Sequence, residues 1–70
     1  MSNTQRSPIM RYFETRHLPV ALAAVSIKFR ELAEWTDENL PAGAEKSTAL
    51  RKLLESKDAA VRAALGDDPK

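Results

Sequence analysis

The sequence predicts an all-α protein: a short N-terminal helix plus two long antiparallel helices, assembled as a compact homo-oligomer. Three observations predict it. Between residues 18 and 36 the apolar positions Leu18, Leu22, Val25, Phe29, Leu32 and Thr36 recur at alternating steps of four and three, the seam of a helix that packs on another helix. The stretch "LPAG" at residues 40–43 then interrupts helix-forming sequence on both sides. No alternating β pattern is present anywhere.

Taken in order, residues 1–6 read as a flexible polar lead, 7–66 as one helical domain, and 67–70 as a flexible tail. The first helix opens at "SPIMRYFETRH", with Ser7 as N-cap and Pro8 at the first helical position. Ile9, Met10 and Phe13 give it one apolar face. Pro19 ends it, because the residue before a proline avoids the α region. The same proline can open the second helix, "PVALAAVSIKFRELAEWTDENL". That helix carries a second stripe on another side: Val20, Ala24, Ile27, Glu31 and Trp35. Two stripes need two partners, and the third helix of the same chain covers only one. The second stripe, with Trp35, is therefore expected to be a subunit interface.

The third helix follows the turn made by Pro41 and Gly43 and runs from about Ala44 to Leu65. Glu45 places negative charge in its first turn, and Gly66 stops it. Leu50, Leu54, Val61 and Leu65 fall on one face, with Leu53, Ala60 and Ala64 beside it. Ala59, Ala60, Ala63 and Ala64 let a neighbouring helix approach closely.

Seventy residues make one domain near the lower limit for independent folding. With only seventeen large apolar side chains beyond Met1, a lone monomer is expected to be marginal. There is no cysteine for a disulfide or a thiolate ligand, and one histidine gives no metal cluster. No cofactor is implied. No apolar run reaches the length of a membrane span, and "MSNTQRSPIM" lacks the apolar core of a secretory signal. A cytoplasmic address with no membrane partner is the expectation.

Charge is nearly balanced at +1 but unevenly laid out. Arg6, Arg11, Arg16, Lys28 and Arg30 against Glu14 make residues 1–30 basic. Glu31, Glu34, Asp37, Glu38 and Glu45 make the next stretch acidic, and Lys46 to Arg62 is basic again. DNA or RNA binding usually needs a larger basic excess and is not expected. A local basic pocket for a small anion fits this layout.

Catalytic motifs are missing, so no enzyme activity is expected. Carboxylates such as Glu34 with Asp37 or Glu38 read as a solvated helix face. The informative cluster is "MRYFETRHLP", which brings Arg11, Tyr12, Phe13, Arg16 and His17 within two turns. Aromatic rings can stack on bases, and arginine and histidine can donate to phosphate or to guanine edges. The bland alternative is that Phe13 is core and Tyr12 a half-exposed edge. Trp35 reads more readily as an interface anchor than as a ligand platform. Lys28 and Arg30 flank Phe29 and face away from the seam, toward solvent or the mouth of an intersubunit groove. Arg51, Lys52, Lys57 and Arg62 admit the same two readings. Arg51 with Glu55, and Asp58 with Arg62, stand at i, i+4 and can pair within the helix.

The stretch "LAEWTDENLPAGAEKSTALRKLLESKDAAVRAAL" resembles a family of very small phage proteins, the second class of anti-CBASS proteins, which are cyclic-oligonucleotide sponges. In that family a helix ends at a Leu-Pro or similar turn. An acidic or polar segment ending in Glu-Lys-Ser follows, then a leucine-rich stretch and an alanine-rich end. "LPAGAEKSTALRKLLESKDAAVRAAL" follows this course from Leu40 to Leu65, and "FETRHLP" resembles the family's aromatic–His–Pro entry. The likeness covers residues 12–65.

The resemblance implies a homohexamer in the host cytoplasm. It would bind cyclic dinucleotides such as cyclic GMP-AMP without cleaving them, and in many members cyclic trinucleotides at a separate site. The host's immune signal falls and the CBASS effector stays silent. Matched residue by residue, the stacking ring is Tyr12, with Phe13 second, and the phosphate-binding cation is Lys28. Arg16 and His17 lie in the entry segment, Arg16 where the family often has an aromatic. For a cyclic trinucleotide site, should this chain keep one, the resemblance suggests Arg30 and Arg62. Such a ligand carries two charges and two flat bases, and a groove between two copies supplies two aromatics and two lysines by symmetry. Rigid helices limit the ordering cost. A different reading is a helical adaptor that binds a host protein through Trp35. A third, a nucleic-acid binder using the basic first 30 residues, would show steep salt dependence.

Overall fold

The computed structural model describes residues 6–66. The expected flexible tail and residues 1–5 of the expected lead lie outside the described residues. Within them the chain is all-helical: a 3-10 helix Pro8–Phe13, then α1 Val20–Asn39, then α2 Ala44–Leu65. The two long helices form an antiparallel hairpin, and the 3-10 helix packs across both.

The first element is tighter and shorter than the α-helix expected there. Met10 and Phe13 stand three apart, which stacks them on one face of a 3-10 turn, and both are buried. Ser7 occupies the N-cap in extended conformation but makes no capping bond. Its N–H and Oγ–H donate instead to the Asp37 carboxylate on α1.

Pro19 precedes α1, and its carbonyl accepts from Ala23 N–H at 2.8 Å. At the other end Leu40 turns extended, as a residue before proline must, while its N–H still reaches Thr36 O at 3.1 Å. Gly66 closes α2 at φ 83°, a left-handed cap that a side chain would strain.

Met10, Phe13, Ala33 and Leu50 form the buried core, with Ile9, Phe29, Leu53 and Leu54 packed against it. Ala33 and Leu50 lie in the turn half of the two long helices, and Phe29 and Leu54 at their middles. No residue of 20–25 or 58–65 is buried. The alanines Ala59, Ala63 and Ala64 face solvent in the protomer.

One expectation is corrected here. Thr36 and Phe29 of the predicted seam do turn inward, but Leu32 is 52 % exposed and the buried positions beside them are Ser26 and Ala33. The 3-10 helix brings Met10 and Phe13 into the groove, so α1 presents small residues where those two bulky side chains sit. The second stripe lies open as expected, with Val20 87 % and Trp35 55 % exposed.

The register of the hairpin follows from Lys46 pairing with Asp37 and Leu50 lying with Ala33. Continued along the helices, it sets Lys57 level with Ser26. The Lys57 side chain is only 13 % exposed and its ammonium pairs with Asp58 at 2.9 Å. Ser26 Oγ is buried with no hydrogen-bond partner. An unmade buried hydrogen bond costs about 1–3 kcal/mol. Ser26→Ala removes it and improves helix propensity. The substitution is expected to raise stability by about 1 kcal/mol, read as a higher urea midpoint. A lower midpoint would show that the hydroxyl has a partner.

Candidate functional site

The entry segment between the 3-10 helix and α1 is held by charges. Arg6 reaches Glu14 at 3.6 Å and Glu34 at 3.9 Å. Arg30 Nε donates to Glu34 at 3.1 Å, and its Nη1 donates to Thr15 Oγ1 at 3.5 Å. Arg16 lies 4.0 Å from Glu14. This network ties the segment to one side of α1. Arg30 is thereby half-buried and engaged, away from any groove mouth shared with Lys28.

Tyr12 stands outward on the 3-10 helix, 52 % exposed. Arg11 lies over it, with its guanidinium 5.0 Å from the ring centroid and Nη2 donating to the Tyr12 hydroxyl at 3.0 Å. The hydrogen bond to Tyr12 raises the Arg11 pKa further above its ordinary range. Together they offer an aromatic face with a fixed cation, the pairing that suits a base next to a phosphate. Arg11, part of the cluster that the sequence marks, is the member that the structure pairs directly with Tyr12.

Phe13, the second choice for a stacking ring, is fully buried in the core and presents no face to a ligand. Arg16, His17, Lys28 and Arg62 are exposed. Lys28 makes no ion pair among the described residues. At roughly 100° per residue it lies about 200° around α1 from Arg30. The Glu14–Arg16 segment is tied to the Arg30 side of α1, and Lys28 lies on the other side.

Two clefts flank the 3-10 helix. One of about 260 Å³ is lined by Arg6, Ser7, Pro8, Met10, Arg11 and Glu14. The other, about 310 Å³, is lined by Ser7, Pro8, Ile9, Ser47, Leu50 and Arg51. Neither includes Tyr12, Arg16, His17, Lys28, Arg30 or Arg62.

A further polar centre was read from sequence as solvated face. Asp37, with its side chain 7 % exposed, accepts from Ser7 N–H at 3.1 Å, from Ser7 Oγ–H, and pairs with Lys46 Nζ at 3.3 Å. Lys46 also donates to the Asp37 carbonyl at 2.7 Å. Burial opposes ionisation of Asp37, but the Ser7 donors and Lys46 outweigh it and hold its pKa below the ordinary value. The partners of the Asp37 carboxylate all come from within the chain, so this centre is structural.

Among the described residues no group of His, Asp or Glu is placed to hold a metal ion, and no helix is long and apolar enough to cross a membrane. Fold and site define a class: a small helical hairpin with an outward arginine–tyrosine pair and a separate free lysine. The chain matches no family model, no curated protein and no solved structure.

Proposed function

We propose that the protein is a non-catalytic sponge for cyclic dinucleotides such as cyclic GMP-AMP, formed by a homo-oligomer whose binding grooves lie between copies. In a phage-infected host this would sequester the CBASS signal in the cytoplasm. The observation that carries the reading is the placement of Tyr12 and Lys28. Each is exposed, and Lys28 lies about 200° around α1 from Arg30, the side to which the Glu14–Arg16 segment is tied. In the proposed assembly one protomer's ring and another's lysine meet across a seam. A ligand with two bases and two phosphates suits a seam with two-fold symmetry. Arg11 adds a cation beside each ring, and Arg16 and His17 add exposed donors nearby. For a cyclic trinucleotide the exposed Arg62 is the better-placed candidate, since Arg30 is held by Glu34 and Thr15.

Melting curves test this. Ligand at a hundredfold over its Kd stabilises by about 2.7 kcal/mol, which for so small a domain raises Tm by roughly 10 °C or more. Tyr12→Ala and Lys28→Ala should each weaken binding about tenfold while far-UV circular dichroism stays unchanged. A flat melting temperature across a panel of cyclic di- and trinucleotides would remove the reading.

The exposure of Trp35 favours a second reading, an adaptor that binds a host protein through the outer face of α1. Nucleotide-independent capture of one stoichiometric partner, lost in Trp35→Ala, would favour it over the sponge.

A further inference from the structure

The outer face of α1 is apolar, open and self-complementary. Val20, Ile27, Leu32 and Trp35 are exposed there, with Ala24, Lys28 and Glu31 among them. At roughly 100° per residue these positions share the arc turned away from Ser26 and Ala33. Neither Lys28 nor Glu31 makes an ion pair among the described residues.

We propose that this face is an isologous interface in which α1 lies antiparallel on α1 of a second copy, about a two-fold axis level with the Phe29–Arg30 peptide. The inference rests on the self-association in the reading above, but not on the nucleotide. In this register Trp35 shares a layer with Ala24 and Lys28 shares a layer with Glu31, each pair occurring twice, while Ile27 and Leu32 border the seam on its two sides, each nearest its own counterpart. A large ring meets a small side chain, apolar meets apolar, and the two free charges find opposite partners. Other registers lose this match. Sliding along the helix by two turns one way keeps Lys28 beside a carboxylate, Glu38, but drives Trp35 onto Glu31. Sliding the other way sets Lys28 on Ala24 and carries Trp35 past the start of α1.

A single helix pair is at the low end of stable interface size, so the dimer dissociates on dilution. A phosphate entering the seam competes with Glu31 for Lys28, and the pairing is therefore read without nucleotide. Sedimentation equilibrium over a concentration series should show self-association. Trp35→Ala should raise the dissociation constant roughly 30-fold or more, the loss expected for an aromatic anchor. Lys28→Glu should raise it severalfold, and adding Glu31→Lys in the same chain should restore it. These side chains are exposed, so helicity is retained.

The register has its own test, since the chain has no cysteine. Lys28→Cys protein mixed with Glu31→Cys protein should form a disulfide-linked heterodimer on oxidation, since that pair shares the central layer and the second Lys28–Glu31 pair stays intact. A chain that stays monomeric into the high-micromolar range overturns the proposal. So does an oligomer that ignores Trp35→Ala and Lys28→Glu and gives no such cross-link. Nucleotide binding is followed separately by the melting shift of the unaltered protein, so its failure and the failure of this pairing are told apart.

Discussion

Phe13→Ala is expected to leave the chain largely unfolded at room temperature. The ring is fully buried and belongs to a core of only four buried apolar residues among those described. Truncating a buried phenylalanine costs about 3–5 kcal/mol through lost transfer energy and the cavity left behind. A domain of this size has a total stability of roughly 3–9 kcal/mol at the usual 0.05–0.15 per residue. The loss is thus comparable with the whole. Phe13 also joins the 3-10 helix to both long helices, so no local rearrangement can fill its place. The measurement is urea unfolding followed by far-UV circular dichroism, with Phe13→Leu as the milder companion. A wild-type midpoint in Phe13→Ala would mean that the core lies elsewhere.

Asp37→Asn is the second large effect, expected at about 2–3 kcal/mol of lost stability. The carboxylate is nearly buried and serves Ser7 and Lys46 together. Removing one member of a buried pair usually costs about 3–5 kcal/mol. Here the loss is smaller, because Lys46 keeps its bond to the Asp37 carbonyl. Ser7→Ala, which removes one of the three ties, should cost about 1 kcal/mol.

The same group sets a pH dependence. Its pKa is lower in the folded chain than in the unfolded one. The unfolded state therefore binds the proton more tightly, and acid favours unfolding. The contribution is complete above the ordinary carboxylate value of 3.8 and is lost as pH falls through the lower folded value. In Asp37→Asn this part of the acid limb should disappear. An unchanged acid transition in the variant would refute the assignment.

Much of the hairpin was legible in the sequence. The four-three spacing, "LPAG" and Gly66 mark both long helices and their turn, because proline, glycine and apolar period act locally. The whole inward face of α1 was not. Thr36 is buried and Phe29 packs on the core as the seam predicts, but Leu32 is exposed and Ser26 and Ala33, outside the seam, are buried in its place. That choice depends on Met10 and Phe13 arriving from a distant element. Ser7 was read as a cap and Asp37 as solvated, and only the fold brings them together across thirty positions. The helix ion pairs shifted for a similar reason. Glu55 pairs with Lys52 at 3.8 Å rather than with Arg51, and Asp58 with Lys57 rather than with Arg62, because Lys57 lies in the half-buried seam. At the candidate site, the outward position of Tyr12 and the free Lys28 were readable. The tying of the Glu14–Arg16 segment to the Arg30 side of α1, away from Lys28, was not, since it depends on which side the entry segment takes.

The location of the core gives the protomer the mechanics of a tuning fork. The handle, where Phe13, Leu50 and the Asp37 knot sit, resists opening. The prongs, ending near Val20 and Arg62, are held only by partly buried side chains such as Leu22, Val25 and Val61 and open at lower free energy. A neighbour pressing on the prongs can therefore reset their spacing while the handle stays closed, so the tips adapt in shape and the grip that unites the chain does not.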